Sequence, residues 1–297
     1  MHGERRLHAA ILDARAWLRR LAWLTAWLAA CTTARAEESK PPEPTESPES
    51  LPRVTDDTAH TLPASHFRVG LWRADYAPFD AVDVGTYWWM WALRVANAQV
   101  KWRWFREGRW ALASKASAFH IDAGNLELLD QHLGTGTLSV ASFEMLASSR
   151  CSDRVTASVG AIYTNVWVDG EINVDAFDGT AAGAVSNLQL TTTEEFRLTP
   201  ATALVLHARY LVFQHLHGRG YVRLDPDEYT SVEVHGGGRR DAFDFPHAWS
   251  LVPSVLWTWG ILRVRAGVGY GHWSVPGLQF VRKERSWIPE LDAYVVF

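Results

Sequence analysis

The sequence predicts an all-β protein, a transmembrane antiparallel up-and-down β-barrel of about 12 strands. Three observations favour this fold: long segments that alternate apolar and polar residues, 16 tryptophans in 297 residues, and a final strand that ends on the aromatic Phe297. Alternation gives each strand one apolar and one polar face, as a closed sheet standing in lipid around a polar interior requires. A soluble β-sandwich also has alternating strands and is the competing fold.

Strand length separates the two folds. Residues 97–105 (NAQVKWRWF) and 262–272 (LRVRAGVGYGH) place apolar side chains at every second position and polar residues or glycine between them. A tilted strand needs about 9–11 residues to cross a bilayer, whereas sandwich strands are most often about 5–6 residues long. Segments of this length favour the membrane barrel.

The first 36 residues read as a secretory signal peptide. Arginines are frequent in 1–20, an apolar run follows at 21–30, and Ala34-Arg35-Ala36 offers a cleavage site after Ala36. The apolar run is shorter than the roughly 20 residues that span a membrane. The chain is therefore expected to be exported.

Cys31 offers a second way to process this leader. Residues 28–31 (LAAC) resemble the lipobox of bacterial lipoproteins, in which the cysteine is acylated. Cleavage after Ala36 is favoured, because a barrel already embedded in lipid gains little from an acyl anchor. Cys151 then has no evident partner, so the two cysteines are not a disulfide framework.

The mature chain divides into a tether and one domain. Residues 37–65 are rich in Pro, Glu and Ser and poor in apolar residues, so a disordered tether is expected there. Residues 66–297 show no second linker and form the barrel. The net charge of −4 argues against nucleic-acid binding.

Turn signals give the order of the strands along the chain. Alternating segments lie near 67–75, 81–88, 97–105, 109–120, 134–146, 154–167, 184–198, 202–214, 246–259, 261–273 and 287–297. Short connections near 76–80, 106–108, 147–153, 199–201 and 260 alternate with longer ones near 89–96, 121–133, 168–183, 215–245 and 274–286. Single-chain bacterial barrels have even strand numbers, so either 53–63 supplies a twelfth strand or a segment threads the lumen, with 10 strands as the alternative.

The last strand carries a more specific signal. Leu291, Ala293, Val295 and Phe297 place apolar residues at alternate positions before a terminal phenylalanine. In this the chain resembles the β-barrel proteins of the Gram-negative outer membrane, whose terminal phenylalanine is read by the barrel assembly machinery. The resemblance implies an outer-membrane location and contact with outer-membrane lipids and lipopolysaccharide.

Tryptophans fall where strands meet connections, as the interfacial belts of a membrane barrel require. The residues assigned to the two belts are Trp102, Trp104, Trp110, Trp167, Trp249, Trp257, Trp259, Trp273 and Trp287.

Function must come from the lumen and the loops, because the fold serves many tasks. The charged residues expected to face the lumen are Asp83, Lys101, Arg103, Lys115, His207, Arg209, Arg263, Arg265, Glu290 and Asp292. Buried charges are costly unless paired, so one interpretation is an ion-pair network that fills a narrow barrel. The other is a basic constriction that favours anions in a small-solute pore.

An enzyme acting on lipid or peptide is the alternative from another class. His207, His215, His217, His247 and His272 accompany scattered Ser and Asp, but none stands in a recognisable catalytic motif. No catalytic residue, no metal site and no cofactor is expected, and the glycine run in 235–241 is interpreted as a loop. The sequence therefore predicts a monomeric barrel that is either structural or a small pore.

Overall fold

The computed structural model describes residues 56–122, 136–174, 177–223, 231–234, 247–274, 279 and 281–297. Within them, one antiparallel sheet closes on itself. The bounds are β1 (Phe67–Gly70), β2 (Ala74–Phe79), β3 (Val82–Thr86), α1 (Trp88–Ala92), β4 (Ala96–Glu107), β5 (Trp110–Asp122), β6 (Gly136–Arg150), β7 (Val155–Val174), β8 (Phe177–Arg197), β9 (Thr202–Arg223), β10 (Ser231–Val234), β11 (Trp249–Trp259), β12 (Leu262–Ser274) and β13 (Val281–Val296).

Twelve of these strands form the ring. Each pairs with its neighbour, β9 pairs with both β8 and β11, and β1 closes the ring on β13. The short β10 pairs with β9 and is not part of the ring. The predicted barrel is therefore confirmed with 12 strands rather than 10, and the sandwich is excluded because a single sheet pairs all the way round.

The wall is polar inside and apolar outside. On β6, Ser142 and Glu144 are buried, whereas the alternating Phe143 and Met145 are exposed. This reverses the arrangement of a soluble protein and suits a barrel surrounded by hydrocarbon. No helix in the described part of the chain is long and apolar enough to cross a bilayer.

Both ends of the ring meet at one rim, called here the Phe297 end. The backbones of Phe67 and Phe297 exchange two hydrogen bonds, at 2.8 and 3.0 Å. Tight turns lie at the same rim, and Gly108 and Gly260 adopt positive φ values of 53° and 56° in two of them. Glycine adopts this left-handed conformation without a steric penalty.

The twelfth strand does not come from residues 53–63, the segment considered above to make the strand number even. The segment predicted as one strand at 67–75 is divided between β1 and β2, because the chain turns where Gly70 N donates to Arg73 O at 2.9 Å. The short turn predicted at 76–80 is wrong, since Pro78 lies within β2 at a register shift. Such an irregularity accepts a residue that has no N–H.

Two connections predicted as long loops contain strand residues. Pairing of β7 with β8 continues to Val174 and Phe177, and β9 continues to Arg223, so the loops at 168–183 and 215–245 are corrected. β13 likewise begins at Val281, within the loop predicted at 274–286. These extensions escaped prediction because they lie farthest from the Phe297 end, where a strand that has left the bilayer no longer needs an apolar face.

The predicted tether at 37–65 is corrected at its C-terminal end. Residues 56–66, called here the lumenal segment, are folded inside the barrel, with Ala59 fully buried. The leader 1–36, Cys31 and the rest of the tether lie outside the described residues, as do the loop predicted at 121–133, apart from 121–122, and the glycine run.

Candidate functional site

The lumenal segment is held by side chains of two separate strands of the wall. Ala59 N donates to Ser148 Oγ on β6 at 2.7 Å, and Leu62 N donates to Asp83 Oδ1 on β3 at 3.0 Å. Ala59 also packs among Ala111, Ala113 and Leu146. The segment is not itself a strand, and at its C-terminal end the backbone pairs with β2, where Ser65 N donates to Ala77 O at 2.7 Å and Ala77 N donates to His66 O at 3.0 Å.

Two consecutive aspartates of this segment meet cations of the wall. Asp56 accepts a hydrogen bond from Arg68 Nη1 at 2.6 Å and pairs with Arg73. Each arginine also binds a carboxylate of the wall: Arg68 binds Asp292 at 2.8 Å, and Arg73 binds Asp75 at 2.7 Å. Asp56 is therefore the link between two ion pairs of the wall.

Asp57 approaches a second group of wall residues. Its carboxylate lies 4.0 Å from Lys115 Nζ and 3.9 Å from His207 Nδ1. Lys115 also lies 3.4 Å from Glu144, its direct neighbour across the β5–β6 pair. Asp57 thus adds a negative charge where β5 and β9 face each other across the interior.

The surroundings of the segment shift its pKa values. Burial raises the pKa of Asp57, but the nearby His207, Lys115 and Arg209 outweigh it and bring the pKa to about 2. For Asp56, burial is likewise outweighed by Arg68 and Arg73, which hold its pKa well below its usual value. Both aspartates are therefore ionised at neutral pH.

His60 shows the opposite effect on a base. Its burial, together with the positive charges of Lys101 and Arg103, lowers the pKa to about 3. The Lys101 ammonium donates to the backbone carbonyl of His60 and lies 3.3 Å from Asp83. The docked segment therefore carries a neutral imidazole at neutral pH.

Of the ten charged residues assigned to the lumen from the sequence, four are buried (Asp83, Lys101, His207 and Arg265) and six are partly buried (Arg103, Lys115, Arg209, Arg263, Glu290 and Asp292). Arg265 binds Glu290 at 2.8 Å, Arg209 donates to Gln279 Oε1 at 2.8 Å, and Arg103 donates to Asp80 O at 2.8 Å. The guanidinium of Arg263 lies 5.9 Å from the centroid of the Tyr294 ring. The contacts of Asp83, Lys101, Lys115, His207 and Asp292 are those given above.

Little open space remains at the level of the aspartates. A cavity of about 20 Å³ lies among Asp56, Asp57, Arg73, Lys101 and neighbouring polar side chains. That is room for about one water molecule. The lumenal segment and the surrounding polar side chains therefore leave little space beside the two aspartates.

Six residues of this network were not predicted from the sequence: Asp56, Asp57, Arg68, Arg73, Asp75 and Glu144. The first two were hidden in a stretch assigned to the tether by its average composition. One signal could have revealed them. The Asp56-Asp57 pair comes after the Pro-Glu-Ser tract has ended and is followed by Thr58 and Ala59.

His207 is not arranged as a catalytic base. Its Nδ1 lies 2.9 Å from Thr193 Oγ1 and also faces Asp57, while its Nε2 accepts a hydrogen bond from Arg209 at 3.2 Å. Nδ1 therefore carries the proton, and no nitrogen is left to take one from Thr193. A different pair, His120 and Ser139, lies on the outer surface with 2.9 Å between Nδ1 and Oγ.

The remaining histidines give no metal site in the described residues, where no group of three or more His, Cys, Asp or Glu converges. His215 stacks on Phe213 with ring centroids 5.0 Å apart. His247 contacts Tyr210, and His272 accepts from Arg285 at 3.4 Å. The side chain of His217 is outside the described part.

The tryptophans assigned to the belts lie as follows. Trp102, Trp104, Trp110, Trp167, Trp249, Trp259 and Trp287 are exposed, and Trp257 and Trp273 are partly exposed. In the final strand, Leu291 and Phe297 are exposed, while Ala293 and Val295 are partly exposed.

Comparison with known proteins gives a likeness at the level of fold. No protein-family model and no curated protein matches the chain. Among solved structures, it is similar to OmpT of Vibrio cholerae (13% identity, TM-score 0.37, covering 75% of this chain and 62% of that one). It is also similar to the toluene transporter TodX of P. putida (9% identity, TM-score 0.36, covering 79% of this chain and 67% of that one). A third similar structure is CdiB of Acinetobacter baumannii (9% identity, TM-score 0.28, covering 80% of this chain and 60% of that one).

The chain spans less than two-thirds of the first of these structures. The resemblance is to the class of bacterial outer-membrane β-barrels and to no particular family within it. The strand pairing described above establishes the barrel independently of these likenesses.

Proposed function

We propose that the protein is a small-solute pore of the outer membrane, favouring anions when open, and that the lumenal segment is its plug. One observation carries the proposal: Asp56 and Asp57, on a segment outside the sheet, meet the cations of the wall. A purely structural network could be completed by the strands alone. Here two of its charges are supplied by Asp56 and Asp57, which belong to no strand of the wall.

Departure of the plug changes the charge of the lumen. Arg68, Arg73 and Lys115 each keep one wall carboxylate, but the lumen loses two negative charges. The loss makes the net charge of the lumen more positive, which favours anions in a narrow pore. The open state is therefore expected to select anions.

Conductance in planar bilayers tests this function. The mature chain is compared with a deletion of residues 37–65, and a deletion of 37–55 serves as the control that keeps the lumenal segment. We expect the longer deletion to conduct, with a reversal potential of anion selectivity in a KCl gradient, and the other two proteins to be mostly closed. Equal conductance in all three, or cation selectivity, contradicts the proposal.

A hydrolase acting on lipid is the second candidate, and the Ser139–His120 pair is the observation that favours it. Both residues lie on the outer face of the barrel, where a lipid ester would reach them. Release of fatty acid from phospholipid vesicles, abolished by Ser139→Ala, would support it. Without such release, the hydrolase is rejected.

A further inference from the structure

The wall of the barrel is low on one side. β1, β2 and β3 contain only 4, 6 and 5 residues, whereas the flanking β13 and β4 contain 16 and 12. A strand rises about 3.3 Å per residue, and a bilayer requires about 9–11 tilted residues. The three short strands therefore start at the Phe297 end and stop partway across the bilayer.

Within the described part of the chain, a long edge of β13 borders this gap. β13 begins at Val281, but its ladder with β1 covers only Tyr294–Val296. Above the ladder, Leu71 N donates to Ala293 O at 2.9 Å, and the indole of Trp72 donates to Leu291 O at 2.6 Å. A side chain thus takes the place of a neighbouring strand.

Tryptophans close the gap from the other side. The indoles of Trp88 and Trp91 donate to Gly70 O at 2.8 Å and to Thr86 Oγ1 at 2.7 Å, respectively. Trp72 meets Trp89 edge to face, with ring centroids 6.3 Å apart. Because Trp72, Trp88 and Trp91 are about half exposed and their N–H groups are bound within the chain, they present mainly aromatic carbon to the outside.

Behind the tryptophans the lumen is apolar. Met90 of α1 packs in a buried cluster with Val95, just before β4, and with residues of β5 to β8 that include Phe119, Val140 and Val166. Trp89 lies beside them. This apolar region differs from the ion-paired network nearer the Phe297 end. A continuous series of apolar contacts therefore links Trp72 at the outer surface, through Trp89, to the cluster in the upper lumen.

We propose that the gap between α1 and β13 is a lateral entrance for the acyl chain of a bilayer lipid, with Trp72 and Trp89 as its gate. The geometry favours a lipid chain over an extended peptide. Pro289 lies on the same strand edge as Leu291 and has no N–H to offer a new strand, and the Leu291 carbonyl is already bound by Trp72. An acyl chain forms no hydrogen bonds, so it needs neither an N–H at Pro289 nor the carbonyl of Leu291.

Thiol labelling from within the membrane tests the entrance. In a Cys151→Ser chain lacking residues 1–36, Val140→Cys places a thiol in the apolar upper lumen, and Val205→Cys places a matched one in a separate buried cluster. Dodecyl methanethiosulfonate dissolved in the vesicles is the membrane probe, and its trimethylammonioethyl analogue is the aqueous probe. Mass spectrometry follows the rate of modification.

We expect the dodecyl reagent to modify Val140→Cys faster than Val205→Cys, and faster than the aqueous reagent does. Trp72→Ala should raise that rate about tenfold, since one indole hydrogen bond and one aromatic contact are lost. Equal rates at the two positions, preference for the aqueous reagent, or no effect of Trp72→Ala overturns the proposal. Val166→Cys replaces Val140→Cys if the latter does not fold, and neither readout depends on ion conductance.

Discussion

The substitution Asp56→Asn tests the plug most sharply, because it removes one charge and keeps the shape of the side chain. The carboxylate holds Arg68 at 2.6 Å and also pairs with Arg73. A hydrogen bond to a charged group contributes about 1.5–3 kcal/mol. Because both arginines retain a wall carboxylate, we take the lower value for each, about 3 kcal/mol in total for docking of the segment.

At about 1.4 kcal/mol per tenfold, this loss raises the undocked population on the order of 100-fold. The assay is the fraction of time that single molecules conduct in a planar bilayer at pH 7. Asp153→Asn, in an exposed turn, removes the same charge away from the lumen and should leave that fraction unchanged. A folded Asp56→Asn barrel that conducts no more often than this control would refute the reasoning.

His60, Gly85 and Phe297 test other parts of the structure. Burial and nearby cations lower the pKa of His60 in the docked segment to about 3, from its usual value of 6.5. The free energy of docking is therefore largest above pH 6.5 and becomes smaller as the pH falls toward 3, by about 2 kcal/mol at pH 5. Conductance should therefore rise from pH 7 to pH 5, and His60→Gln should abolish that rise; a rise that persists counts against this assignment. A Cβ at Gly85 would lie 1.9 Å from Asp75 Oδ1, so Gly85→Ala should lower the unfolding free energy by about 1–3 kcal/mol, and an unchanged urea midpoint would argue against it. Phe297→Ala removes the ring contact with Phe67 at 5.9 Å and should reduce the folded yield in membranes, whereas a normal yield would contradict an assembly role.

Periodicity predicted the wall of this barrel well. In β4 and β12, one face must meet hydrocarbon and the other a polar interior, so two-residue alternation is a direct consequence of position. The same rule fails for β1 to β3, which are too short to display a period. It also fails for the far ends of β7 to β9, where alternation is no longer required.

Ion-pair partners could not be read from the sequence, because they depend on register and side-chain reach. Arg265 stands opposite Asp292 in the β12–β13 ladder, yet it binds Glu290, two residues along the strand. Asp292 binds Arg68, on the strand that closes the ring. The lumenal segment was missed for a related reason, since its apolar contacts are few and its stability comes from charges far away in sequence.

A disulfide between the plug and the wall tests the central claim most directly. Ala59→Cys and Ser148→Cys, in a Cys151→Ser background, place thiols where the backbone N of residue 59 and the side-chain oxygen of residue 148 are 2.7 Å apart. We expect the folded protein to form this cross-link in vesicles. When Asp56→Asn is added, the oxidised protein should stay closed, and it should conduct after the disulfide is reduced. A folded barrel in which the cross-link never forms, or in which oxidation leaves the current unchanged, would contradict the account.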